Sequence, residues 1–136
     1  MRDFVFYAPT KIVFGKDKEN EVGDLVKGYG FKKIMMQYGK DSIKKSGLYD
    51  RVMKSLSNAG ISVVEMGGVE PNPKVEFVRE AAEIAKKEQV ELILAVGGGS
   101  VIDSVKSTAA AVTMNCDPWE LHTRKVVPTS ALPVAT

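Results

Sequence analysis

The sequence predicts an α/β fold: a Rossmann-like parallel sheet with helices on both faces. Three observations carry this reading. Strand-like and helix-like segments alternate at a spacing of roughly 30 residues, the rhythm of consecutive βα units. The segment Leu92-Ile93-Leu94-Ala95-Val96 is apolar at every position, as a strand covered on both faces must be. A glycine triplet, Gly97-Gly98-Gly99, follows it at once and leads into a helical pattern.

Each element has its own signal. Phe4 to Phe14, with Ala8-Pro9-Thr10 in the middle, predicts two short strands around a turn, an N-terminal β-hairpin. Asp17 to Lys27 reads as a short helix through Val22, Leu25 and Val26. Ile34 to Tyr38 is the next strand. After Gly39-Lys40-Asp41 comes a helix whose Leu48, Val52 and Leu56 fall four apart on one face. Gly60 ends it, suited to a left-handed cap. Ile61 to Met66 gives the following strand, broken by Gly67-Gly68. Asn72-Pro73 is expected to open the next helix, with Asn as N-cap and Pro at the first helical position. Val75, Val78, Ala82 and Ala85 form its apolar stripe. After the glycine triplet, Ser100 starts a helix faced by Val101, Val105, Thr108 and Val112. The tail from Val126 carries Pro128 and Pro133 and ends on an apolar run, which reads as a strand cut short. Residues 1–136 are thus expected to be one domain, truncated at its C-terminal end.

Composition narrows the function classes. The 136 residues are 44% hydrophobic and 26% charged, with a net charge of +2; that is ordinary for a globular domain with a real core. Lysines come mostly in pairs, such as Lys32-Lys33 and Lys86-Lys87, and no basic run suggests a nucleic-acid partner. No apolar stretch approaches the ~20 residues that would cross a bilayer, so no membrane partner is expected. The single cysteine, Cys116, cannot form an internal disulfide, which fits a cytoplasmic location.

The glycine turn carries the chemistry. Without Cβ atoms the backbone turns tightly and a ligand can approach it closely. The helix that follows offers unpaired N–H groups and the positive end of its dipole, a site for an anion such as a diphosphate. Ser100 can add a hydroxyl donor or cap the helix. The bare triplet also fits a plain strand-to-helix turn. Two named motifs fail: G-x-G-x-x-G would need Gly or Ala where Ile102 stands, and the phosphate loop G-x-x-x-x-G-K-[ST] would need Gly at Val105. Two other strand-end loops support nucleotide binding, Tyr38-Gly39-Lys40-Asp41-Ser42 and Gly67-Gly68-Val69-Glu70-Pro71-Asn72-Pro73. In the first, Asp41 could hold a ribose 2′-OH and Lys40 a 2′-phosphate. Asp41 or Ser42 as a simple helix cap is an equal reading.

With these segments in place, the chain resembles the iron-containing (group III) alcohol dehydrogenases, in their butanol dehydrogenase-like branch. The resemblance rests on Pro9-Thr10-Lys11-Ile12-Val13-Phe14-Gly15, Tyr38-Gly39, Ser42-Ile43-Lys44-Lys45, the segment Gly67 to Pro73, Gly97 to Asp103, and Asp117-Pro118-Trp119. It implies that Gly97, Gly98, Gly99 and Ser100 hold the cofactor diphosphate, with Asp103 nearby. Asn72 would face the nucleotide, and Gly39, Lys40 and Asp41 would meet the adenosine ribose. The cofactor is NAD or NADP, since Lys40 and Asp41 pull in opposite directions. The resemblance also implies Fe2+ or another divalent metal in the parent enzyme, held by an aspartate and three histidines in an all-α C-terminal domain absent from this chain. A small primary alcohol or aldehyde would be the substrate, and a homodimer the assembly. The lone histidine, His122, matches no such ligand, and Cys116, Trp119 and Leu121 read as inert or packing residues. The 136 residues alone are expected to bind nucleotide without catalysing the reaction. A stand-alone nucleotide-binding module and a glycerol dehydrogenase or dehydroquinate synthase relative are the alternatives.

Overall fold

The computed structural model describes residues 3–136. A 3-10 turn, Lys18–Glu21, runs into helix α1, Val22–Gly28. Strand β1, Lys33–Tyr38, follows, then the single turn α2, Ser42–Lys45, and helix α3, Leu48–Asn58. Strand β2 is Ser62–Met66 and helix α4 is Val75–Glu88. Strand β3, Leu92–Val96, leads into the longest helix, α5, Gly99–Met114. A short helix α6, Pro118–His122, and a two-residue strand β4, Val134–Ala135, complete the chain.

The four strands form one sheet in the order β2-β1-β3-β4, all parallel. Ile34, Met36, Tyr38, Leu92, Leu94 and Val96 turn to one face and pack with α1 and α3 through Val26, Val52 and Leu56. Met35, Ile93 and Ala95 turn to the other and meet α4 and α5 through Ala81, Ala85, Val101, Val105 and Ala109. Helices therefore cover both faces, as the alternation predicts. β3 is buried at all five positions. Helix α1 seats tightly on α3: a Cβ at Gly23 would fall 2.1 Å from the Ser55 carbonyl oxygen, so only glycine permits this approach. At the end of α3, Gly60 is left-handed at φ 76. Its N–H reaches Ser57 O while that of Ile61 reaches Leu56 O, the paired closure expected of such a cap.

The structure corrects two expectations. The N-terminal β-hairpin does not form: among the described residues no strand precedes β1. Phe4, Val5, Phe6, Tyr7, Ile12 and Phe14 are all more than 80% exposed. A two-stranded ribbon needs a packed face to be stable, and among the described residues none covers these side chains. Asn72 also does not cap α4. It sits in a left-handed turn at φ 57, and the N-cap is Lys74. An N-cap needs extended backbone, which Lys74 has at φ -81 and ψ 144 and Asn72 lacks, so the helix begins only after Lys74.

Candidate nucleotide site at the carboxyl edge of the sheet

The sheet's connectivity creates a cleft. From β1 the chain crosses to β2 on one side, then returns past β1 to β3 on the other. The helix leaving β1 and the helix leaving β3 thus lie on opposite faces of two adjacent strands. Ligands of doubly wound sheets bind at such a switch point, beyond the carboxyl ends of the strands. Tyr38 and Val96 are paired across it, so residues 39–41 and 97–100 form its two lips.

The lip after β3 is made of backbone. Gly97 has φ 156, and a Cβ there would lie 2.7 Å from Val101 Cγ2, so the turn depends on that glycine. Gly98 is the N-cap of α5 in extended geometry, and its carbonyl accepts from the N–H groups of Val101 and Ile102. A Cβ at Gly98 or Gly99 would meet nothing within 4 Å. The protein's own packing therefore does not require glycine at these two positions, and the bare backbone leaves room for a ligand to approach. The N–H groups of Gly99 and Ser100, in the first turn of a 16-residue helix, take no intrahelical partner and have the positive dipole end behind them. The donor set suits a diphosphate. Ser100 lies in this first turn without capping the helix through its side chain. Asp103 is exposed on α5, one turn beyond Gly99 and on the same face.

The lip after β1 is made of side chains. Asp41 is the N-cap of α2 yet its carboxylate makes no capping bond. Lys40 Nζ lies 3.4 Å from Glu70 Oε1, and Lys74 Nζ lies 3.2 Å from Glu70 Oε2. Hydrogen bonds from Lys74 first, then Lys40, hold the Glu70 carboxyl below its ordinary value. Backbone bonds tie the two loops together: Gly68 N–H donates to Gly39 O, and Val69 N–H to Tyr38 O, both at 3.1 Å. Behind the lip, the Tyr38 and Tyr49 hydroxyls share Glu65 Oε1 at 3.1 and 2.7 Å. Lys44 stands over both rings, and a Cβ at Gly67 would collide with the Tyr38 ring.

The fold brings Gly39, Lys40, Asp41, Gly97, Gly98, Gly99 and Ser100 to one edge of the sheet, and Asn72 to the neighbouring β2 loop. Glu70 was not assigned from the sequence. Its only local signal is a spacing of four from Lys74, while Lys40 lies 30 residues away. The remaining flagged residues stand apart. His122 is exposed, 3.2 Å from Ser107 Oγ. Trp119 is 55% exposed rather than packed, on a helix fixed by an Asp117–Glu120 capping box. No group of three or more His, Cys, Asp or Glu side chains among the described residues could hold a metal ion, so no metal site is assigned to them. No helix among them is long and apolar enough to cross a membrane.

A parallel sheet wound in both directions, with a glycine-floored helix N-terminus at its switch point, defines a doubly wound, Rossmann-like α/β protein. The family model for iron-containing alcohol dehydrogenase matches residues 9–136, and the chain belongs to that family. It is 43% identical over its whole length to a probable NADH-dependent butanol dehydrogenase 1 of Bacillus subtilis, of which it covers 35%. It is 37% identical over 123 residues to the NADPH-dependent aldehyde reductase of Escherichia coli, covering 89% of this chain and 31% of that protein. Among solved structures, the NADH-dependent butanol dehydrogenase A of Thermotoga maritima superposes on 98% of the chain with a TM-score of 0.96 and 48% identity. The chain covers 34% of that structure, so it spans about a third of the length of the relatives it matches.

Proposed function

We propose that this chain is the dinucleotide-binding part of an NAD(P)-dependent alcohol dehydrogenase, acting on a small primary alcohol and its aldehyde. The single observation that carries the reading is the open space over Gly98 and Gly99 at the N-terminus of α5. When bound, the nicotinamide cofactor supplies the hydride chemistry. The chain's own residues bind and orient it. The N–H groups at Gly99 and Ser100 hold the diphosphate, Asp103 lies beside it, and Asn72 and residues 39–41 border the adenosine end. The iron chemistry that the family name implies has no ligand set among the described residues, and no step is routed through it.

The cofactor preference we infer is NAD. Lys40, the one group in the β1 loop that could meet a 2′-phosphate, is already paired with Glu70. Asp41 makes no capping bond, which leaves its carboxylate available to accept from a ribose 2′-OH. For the whole protein we infer a homodimer, supported by the exposed apolar run Phe4–Tyr7 and checked by sedimentation. We place it in the cytoplasm, consistent with a single, half-buried cysteine.

Titration of NADH and NADPH into the protein, followed by cofactor fluorescence, tests the reading. The expected result is saturable binding, tighter for NADH, that Gly99→Asp weakens about 100-fold without unfolding the chain. Binding that survives Gly99→Asp unchanged would remove the diphosphate assignment.

A further inference from the structure

We propose that Gln37 is a positioning residue of this nucleotide site: through Ser104 and Thr108 it fixes the seat of α5 on β1, and so places the N–H groups that meet the diphosphate. The inference rests on the nucleotide-binding reading above.

Gln37, Ser104 and Thr108 are the buried polar side chains of the described residues, exposed by 0, 1 and 0%. All three meet at one point. Ser104 Oγ donates to Gln37 Oε1 at 2.9 Å. Gln37 Nε2 donates to Thr108 Oγ1 at 3.1 Å and also faces Met35 Sδ at 3.6 Å. Thr108 Oγ1 donates to the Ser104 carbonyl at 2.8 Å. Proton accounting fixes the amide's orientation: the Thr108 hydroxyl spends its hydrogen on that carbonyl, so it can only accept from Gln37.

The surrounding contact is apolar, formed by Met35, Ile93, Ala95, Val101, Val105 and Ala109. Apolar packing is non-directional, and a helix on a smooth sheet face has several nearly equivalent seats. Hydrogen bonds are directional and fix one of them. Hydroxyls and an amide are not needed for stability here, since apolar groups of the same shape can be about as stable. Their place is telling. Gln37 stands two residues before Gly39, and Ser104 stands about a turn and a half into α5 from its Gly98 cap, at a helical repeat of about 3.6 residues. The network thus couples the two lips of the cleft. A shift of ~1 Å in that seat is enough to spoil binding geometry.

The test compares ADP with adenosine in the intact protein, wild type against Gln37→Met/Ser104→Ala/Thr108→Val. That variant removes every polar member together and leaves no orphaned partner. The expected result is an unchanged or higher melting temperature, unchanged adenosine affinity, and a loss of about tenfold for ADP, a change of ~1.4 kcal/mol. Thr108→Ser keeps the hydroxyl and should bind ADP as the wild type does. Ser104→Ala alone should give a smaller ADP loss in the same direction, and serves if the triple variant does not fold. A wild type that binds both ligands, with an ADP-to-adenosine ratio unmoved in the variants, overturns the inference alone. A wild type that binds neither NADH nor ADP overturns the nucleotide reading, and the inference with it.

Discussion

The turn after β3 and the loop after β1 flank the same cleft but are built on opposite plans. One presents backbone, with open space over Gly98 and Gly99. The other presents charge, with Lys40 and Lys74 gathered on Glu70 and Asp41 left without a capping bond. The two ends of the ligand explain the difference. A diphosphate is the same in NAD and NADP, so it can be held by N–H groups that every sequence possesses. The ribose differs, and only side chains can tell a hydroxyl from a phosphate. Affinity at this edge is therefore assigned to the glycine turn and discrimination to the charged loop.

The hardest way to break that division is at Gly97. Gly97→Val puts a β-branched residue at φ 156 with its Cβ 2.7 Å from Val101 Cγ2. Backbone strain and overpacking together should cost about 3 kcal/mol of stability, read by urea unfolding, and the nucleotide site should be lost as well. Gly99→Asp separates the two effects. Its Cβ meets nothing, and an acid in the first helical turn favours the dipole by about 0.5 kcal/mol. A carboxylate some 5 Å from a bound diphosphate should oppose it by on the order of 3 kcal/mol, or about 100-fold in affinity. A variant both less stable and unaffected in binding would reverse the assignment.

The charged loop should answer mainly in selectivity between the two cofactors. Asp41→Asn removes the charge that accepts from a 2′-OH and repels a 2′-phosphate. The NADH-to-NADPH affinity ratio should fall about tenfold, the worth of one charge-assisted hydrogen bond, and ADP, which carries the same 2′-OH, should weaken in step with NADH. Glu70→Gln should move the ratio the same way by a smaller factor, because it releases Lys40. Direct titration of both cofactors checks each.

The sequence shows these regions unequally, for physical reasons. The strands, the apolar faces of α3, α4 and α5, and the glycine turn obey local periodicity, and the structure places them within a residue or two of expectation. Phe4 to Phe14 has the composition of strands, yet pairing is a property of what a segment meets, and here Phe4 to Tyr7, Ile12 and Phe14 stay exposed. Asn72 followed a capping rule, but its left-handed backbone at φ 57 is not the extended geometry that a cap needs. Gln37 is the only polar residue of β1 between Ile34 and Tyr38, a faint signal. Its partners lie 67 and 71 residues away, and no local rule reaches that far. Glu70 was visible within a motif, but its role appears only when the β1 and β2 loops come side by side.

The smallest expected effect lies behind the charged lip. Tyr38 and Tyr49 both donate to Glu65, and this fixes the outer wall of the β1 loop without touching the glycine turn. The hydrogen bond to Glu65, then burial, pushes the Tyr49 phenol from its ordinary 10.0 up to about 12. A folded-state value above the unfolded one means the neutral phenol is favoured by folding. That contribution is fully present below pH 10 and is lost as pH rises toward about 12. Absorbance titration should find the Tyr38 and Tyr49 tyrosinates forming late, since burial and then Glu65 push the Tyr38 phenol up as well, and stability should decline over the same interval. Tyr49→Phe should flatten that decline and leave ADP affinity unchanged. If instead it weakened ADP, the two lips would not be independent, and the separation of affinity from discrimination would fail at its outer edge.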